Sequence, residues 1–233
     1  MHAKRSSLTV AQEALSAAAQ MGLDEAILVY APQDSLILRF YRWAGPAVTF
    51  GYSQLYVLAQ GAAQARGLDG CSVVRRATGG GVVFHDGDFT FSLCFPWSRL
   101  SSPSQIYETI HKGAALGLKA WGFEAQLWRP SGKQPVQHQC FTGPEPFDLV
   151  DGRKAKVLGG ALRRRNGRGL YQGSLRLPAQ LKAARRPELE SALTSGLAQS
   201  WGRKPSLELE PEWLRQGEIL AEKYRSDAWN HRR

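Results

Sequence analysis

Cysteine is scarce: the 233 residues hold only Cys71, Cys94 and Cys140. An odd count without metal-ligand spacing excludes a disulfide framework and gives no reason to expect a metal, so free thiols are expected. No apolar run approaches the ~20 residues needed to cross a bilayer. The N-terminal stretch MHAKRSSLTVAQEALSAAAQ begins basic, but Gln12 and Glu13 interrupt anything like a signal-peptide core. A soluble cytoplasmic protein with no membrane partner is therefore the expectation. The nucleotide loop G-x-x-x-x-G-K-[ST] is missing, and so is G-x-G-x-x-G ahead of a helix. Acidic residues are the minority, 20 against 30 Lys and Arg, for a net charge of +10. That excess attracts acidic partners: nucleic acid, anionic lipid or acidic protein. A nucleic-acid-binding module is one reading of the charge and the interleaved aromatics, but no recognised reader motif accompanies them.

The chain has ample apolar sequence, 43% of residues, and enough length to bury a core without a staple. Apolar positions from Val10 to Met21 recur at helical spacing, with Thr9 and Gln12 as a capping box and Gly22 as a stop. The runs Ala26–Tyr30, Ser35–Trp43 and Ala47–Gln54 read as strands, and the Ala-rich Tyr56–Gly67 as a helix. Two strands flank three consecutive glycines, followed by a helix from about Ser104 to Trp121 capped by Ser104. Phe123–Trp128 is a short strand, and Arg129–Gln139 has loop composition. Pro146–Leu177 reads as a meander with hairpin turns at Asp151-Gly152 and Asn166-Gly167. Beyond about residue 186 the chain is helix-biased and too short for a substantial second domain. More strands than helices, with tight hairpins, argue for an α+β (mixed α/β) fold with a largely antiparallel sheet flanked by helices.

Two stretches carry chemistry. In RRATGGGVVFHD, consecutive glycines permit positive φ and bare the backbone amides, which can cradle an anion while Arg76 adds a bidentate contact. A plain bend or bulge between strands explains the glycines equally well. In GRKAKVLGGALRR, a lysine among small residues can turn its ammonium toward a ligand. Lys154 and Lys156 lie two residues apart on one predicted face, so strand alternation does not choose between them.

Together these stretches resemble the lipoate protein ligase A and octanoyltransferase family of the biotin/lipoate ligase superfamily. Arg75 to His85 matches R-R-x-[ST]-G-G-[GR]-x-V-[FL]-H throughout, and Lys156 to Ala161 matches K-[VIL]-x-G-x-A. Trp43–Gln54 and Leu170–Leu175 resemble the family's neighbouring strands, so the likeness spans roughly residues 8 to 190. It implies one catalytic domain over residues 1–233, with a mixed sheet and an acyl tunnel beside the glycine loop. It selects Lys156 over Lys154, as the cation that stabilises the reacting carbonyl. It implies substrate contacts from Arg76, Thr78, Gly79, Gly80, Gly81, Val82, Val83, Phe84, His85, Gly159, Gly160 and Ala161. Arg76 and Gly81 to Phe84 would face the nucleotide part in a ligase.

Two chemistries share this family. Ligases use ATP and Mg²⁺ to make lipoyl-adenylate, often with an extra domain or a partner subunit. Cysteine-type transferases take octanoate from acyl carrier protein onto a thiol, with no tightly bound cofactor. CFTGPEPFDLV, Cys140–Val150, resembles the transferase pattern C-F-x-x-P-x-x-[YF]-[ED], which makes Cys140 the nucleophile, and His138 lies two residues before it. The glycine run is closer to the ligases, since transferases often carry Gly-Gly-Arg. Either way the resemblance implies lipoate or octanoate as substrate. The acceptor would be an acidic lipoyl domain, of the glycine cleavage H protein or 2-oxoacid dehydrogenase E2 type. Biotin ligases usually have a shorter Gly-Arg-Gly-Arg loop. Cys71 and Cys94 fall in strand runs and are expected in the core.

Overall fold

The computed structural model describes residues 13–97, 102–129, 143–178 and 185–232. Its first helix, α1 (Ala17–Tyr30), starts where Ser16 Oγ accepts the Ala19 N–H at 3.4 Å. The proposed Thr9 cap lies outside the described residues, and the expected strand Ala26–Tyr30 is instead the last turns of α1. Ala26, Ile27 and Leu28 are buried there by tertiary packing, which overrides the run's strand-like composition. Gly22 does not end the helix. It is the point where α1 crosses α5 (Pro211–Arg225), and a Cβ on Gly22 would sit 2.5 Å from the Gly217 carbonyl oxygen.

The strands are β1 (Ile37–Phe40), β2 (Ala47–Phe50), β3 (Ser72–Arg75), β4 (Val83–His85), β5 (Phe89–Pro96), β6 (Gln126–Leu127), β7 (Leu149–Val150), β8 (Lys156–Arg165) and β9 (Arg168–Leu175). Six form an antiparallel sheet in the order β1-β5-β9-β8-β7-β6. The antiparallel α+β expectation is met. A second sheet has the order β3-β2-β4, with β2 and β3 parallel. The strands on either side of the glycines therefore do not pair with each other: β2 lies between them.

One face of the large sheet packs on α3 (Pro103–Trp121) and α4 (Arg186–Trp201), through Phe91, Leu93 and Phe95 against Ile106, Ile110 and Leu193. The helix α3 is capped by Ser102 rather than by Ser104: Ser102 and Gln105 form the capping box, with Pro103 at the first position. The other face packs on α1 and α5 through Leu23, Ile27, Cys94, Leu170 and Trp213. The small sheet packs Val48, Phe50 and Phe84, with Val82 just ahead of β4, on α2 (Tyr56–Gln64). Cys94 is core, and burial pushes its thiol far up. Cys71 is only partly buried at the edge of the α2 cluster, a correction to its expected core position.

The β8–β9 turn is the two-residue hairpin that Asn166-Gly167 implies, with φ of 47° and 77°. The β7–β8 turn is wider than Asp151-Gly152 suggests. Asp151 Oδ1 accepts the Arg153 and Ala155 N–H groups, and Lys154 takes the left-handed position at φ 62°. The C-terminal helices are tied to the sheet by Arg75. All five guanidinium N–H groups donate to carbonyls: Nε to Trp229, Nη1 to Tyr52 and Gln54, Nη2 to Asn230 and Arg232, at 2.6–3.1 Å. The short α6 (Asp227–Asn230) returns the Asn230 side chain to the Arg75 N–H at 2.8 Å.

Candidate active site

A pocket opens where the two sheets meet. Val83 and His85 of β4 form one wall, Gly159 to Ala161 of β8 another, and Gln172 to Ser174 of β9 the floor. Trp43 and Met21 close it toward α1. The glycine loop forms its rim. Gly80 is exposed with φ 84°, and a Cβ on Gly51 at the end of β2 would overlap its carbonyl. A Cβ on Gly80 would come 3.5 Å from Ala161 Cβ. Glycine is thus required at position 51 for the close approach of β2 to the loop and at position 80 for its left-handed φ, while the loop meets β8 at ordinary contact distance.

Arg76 shapes this loop. Its Nη2 donates to the Gly79 and Gly81 carbonyls at 2.7 and 2.8 Å, and its Nη1 to Thr49 Oγ1 at 3.1 Å. Thr78 is buried and donates to Gln172 Oε1 at 2.6 Å. Strand alternation splits the following residues. Val83 and His85 face the pocket, while Val82 and Phe84 pack their side chains against α2.

Lys156 begins β8 and folds back across Gly159. A Cβ on Gly159 would overlap Lys156 Cε and lie 2.6 Å from its Nζ. The ammonium pairs with Asp148 Oδ2 at 2.8 Å, both side chains being less than a tenth exposed. Burial raises the Asp148 carboxyl above its ordinary range, against the pull of Lys156. Lys154 is exposed in the turn, so the geometry separates two lysines that alternation could not. Asp148 is aimed by its neighbour: Phe147 sits at φ 74°, and its carbonyl is 2.6 Å from His111 Nδ1. A carbonyl only accepts, so Nδ1 carries the proton and Nε2 accepts the Tyr171 O–H at 2.7 Å. Burial first, and Lys156 further, push His111 down to about 4, which keeps it neutral.

A second polar chain lies at the other wall. His85 Nδ1 is 2.9 Å from Asp88 Oδ2 and Nε2 is 2.8 Å from Thr49 Oγ1, while the ring stacks on Trp43 at 4.0 Å. Burial would raise Asp88, but His85, Ser174 and Thr90 hold its carboxyl below the usual range. Behind the floor, Gln172 Nε2 donates to Asp24 Oδ2 at 2.7 Å, and Asp24 also holds Arg39, Ser92 and Tyr41.

The pocket thus gathers Arg76, Gly80, Gly81, Val83, His85, Gly159, Gly160 and Ala161, with Lys156 beside Gly159. Cys140 and His138 lie outside the described residues. Asp148, His111, Tyr171, Asp88 and Gln172 were not anticipated. Asp148 had a signal, since it fills the last position of the pattern that begins at Cys140. The others come from distant segments and carry no local motif. Among the described residues no group of three His, Cys, Asp or Glu is placed to hold a metal ion.

Residues 16–195 match the Lipoyl protein ligase A/B catalytic domain family. The chain belongs to this family. Curated relatives in the lipoyl ligase family include octanoyltransferase LipM of Kyrpidia tusciae, 30% identical over 94% of this chain and 96% of that protein. Octanoyltransferase LipM of Staphylococcus epidermidis is 29% identical over 91% and 94%. Among solved structures, lipoate-protein ligase A bound with ATP superposes with a TM-score of 0.72 at 22% identity, over 92% and 93% of the two chains. A bipartite lipoate protein ligase from Thermoplasma acidophilum gives 0.70 at 21%, over 92% and 91%. These two structures establish the shared fold of the lipoyl ligase family.

Proposed function

We propose that this chain is an octanoyltransferase of protein lipoylation, moving an octanoyl group from acyl carrier protein to a lysine of a lipoyl domain through a thioester on Cys140. The observation that carries the reading is the buried Lys156 ammonium, folded over Gly159 on the wall that abuts the glycine loop. The relatives named octanoyltransferase, aligned over nearly their whole length, support the same reaction type.

In this scheme the Cys140 thiolate attacks the carrier's thioester carbonyl. A new C–S bond forms, the carrier's C–S bond breaks, and the carrier thiol leaves with a proton. The acceptor lysine amine then attacks the Cys140 thioester. An amide forms, the C–S bond breaks, and the proton lost by the amine returns the thiol to Cys140. Each step puts negative charge on the carbonyl oxygen, and a preorganised cation in a dry site lowers that barrier most. Lys156 is the cation supplied, and a nearby ammonium also favours the thiolate. The carrier thioester is already activated, so the route uses no ATP.

The glycine run itself favours the second reading, an ATP-dependent lipoate ligase, because Gly79-Gly80-Gly81 carries glycine where the transferases often carry arginine, and its bared amides suit the phosphate of an acyl-adenylate. Intact-mass analysis of an acidic lipoyl domain separates the two. One reaction contains octanoyl-acyl carrier protein without ATP, the other lipoate, ATP and magnesium. Octanoylation in the first with none in the second is expected; modification only in the second would sink the thioester route. Cys140→Ser at full rate would remove Cys140 from it.

A further inference from the structure

Eight large apolar side chains are exposed on the described surface, and four of them fall within residues 52–58: Tyr52 at 36%, Leu55 at 48%, Val57 at 65% and Leu58 at 59%. They surround the start of α2, a helix with no charged residue between Tyr56 and Gln64. Two arginines edge the patch. The Arg232 guanidinium lies 3.9 Å from the Tyr52 ring centre, and that of Arg163 4.8 Å. Arg232, by hydrogen bond and then by charge, and Arg163 draw the Tyr52 hydroxyl below its ordinary range. An apolar centre with aromatic and arginine neighbours is the composition of a protein interface rather than of ordinary surface.

The patch adjoins the pocket rim. The Tyr52 N–H donates to the Thr78 carbonyl at 2.9 Å, and Gly51 packs against Gly80. Arg163 lies two residues beyond Ala161 on the same strand, and Ala161 lines the pocket. We propose that Tyr52–Leu58, with Arg163 and Arg232, is the docking surface for the acidic domain that presents the acceptor lysine. This rests on the acyl-transfer reading above. Charge selects the partner: the arginines and the net charge of +10 attract an acidic domain and repel a second copy of this chain. Reach selects acceptor over donor. A lysine amine stands on only a four-carbon stem, so its domain must seat directly at the rim. An acyl carrier delivers its group on a longer arm and can dock farther away.

The test uses the full chain and an unmodified acidic lipoyl domain. Val57→Asp with Leu58→Asp places two carboxylates in the first turn of α2, where they favour the helix while repelling an acidic partner. Titration of the lipoyl domain is expected to give at least tenfold weaker binding for this double variant. Its melting temperature is expected to stay unchanged. In steady-state transfer, KM for the lipoyl domain rises at least tenfold, while kcat and KM for octanoyl-acyl carrier protein stay within twofold. Arg163→Glu reproduces the loss and flattens the salt dependence. Unchanged lipoyl-domain affinity overturns the proposal, as does a rise confined to the acyl carrier KM. Wild-type binding lost in the variant, without transfer from any donor, would support the docking surface while sinking the chemical reading.

Discussion

Gly159→Ala tests the placement of Lys156 directly. The new methyl would overlap Lys156 Cε, lie 2.6 Å from Nζ and 3.3 Å from Asp148 Oδ1. The lysine end is flexible, so it moves rather than the strand, and the 2.8 Å pair with Asp148 is broken. Breaking a buried ion pair costs about 3–5 kcal/mol. Alanine in place of glycine returns about 0.4–1 kcal/mol through the unfolded chain. A net loss of about 2–4 kcal/mol in urea denaturation is expected. Transfer should fall about 10²–10³-fold, the usual effect of removing one oxyanion stabiliser. The Lys156→Ala background sharpens the test. There the methyl meets vacated space and only the unfolded-chain contribution remains, so Gly159→Ala should stabilise by about 0.4–1 kcal/mol rather than destabilise. A full-rate Gly159→Ala enzyme, or an equal loss in both backgrounds, would refute the reasoning.

His111→Asn keeps a donor for the Phe147 carbonyl and should stay within about threefold of wild-type transfer, whereas His111→Gln loses that donor and should drop about tenfold, the effect of about 1.4 kcal/mol; single-turnover rates decide. His111 is held neutral down to about 4 against an unfolded value of 6.5. The unfolded chain therefore binds the proton first, and stability falls as pH drops through that window. At about 1.4 kcal/mol per pH unit the loss reaches about 3 kcal/mol near pH 4, and His111→Asn should flatten the dependence of the urea midpoint on pH. Arg75→Lys has three donors for five carbonyls, and two orphaned carbonyls at about 1–3 kcal/mol each should lower stability by about 2–6 kcal/mol. Proteolysis of that variant should begin at the C-terminal helices, read by mass spectrometry.

Local signals carried much of this molecule. The Asn166-Gly167 turn, the α2 helix and the glycine run with its flanking strands are all set by residues adjacent in sequence, and each stands where the sequence puts it. What failed was decided at long range. Ala26–Tyr30 has the composition of a strand, but its burial between β9 and α5 depends on a crossing at Gly217, almost two hundred residues away. Likewise, nothing near Lys156 announces His111 or Tyr171, because the sheet and α3 bring them together only after folding. Asp148 lay inside a recognised pattern, yet its pairing with Lys156 needed the left-handed turn at Phe147.

The glycine loop raises a physical difficulty: a bare, flexible segment makes a poor template for a reacting group unless something else fixes it. Here the fixing comes from side chains that reach the loop from its own strand and from the pocket floor. Arg76 ties the two carbonyls around Gly80. Thr78 is bound to Gln172, whose amide is bound in turn to Asp24 on α1. Asp24 is itself saturated by Arg39, Ser92 and Tyr41, so the chain of bonds ends in a buried ion pair rather than in solvent. Buried polar networks of this kind rigidify only when every member is satisfied. Removing Gln172 should therefore loosen the loop without touching Lys156. The expected signature is a raised KM for the acyl donor with little change in the reactivity of the Lys156 amine toward a small acylating reagent. If both fell together, the loop and the lysine would be one mechanical unit rather than two.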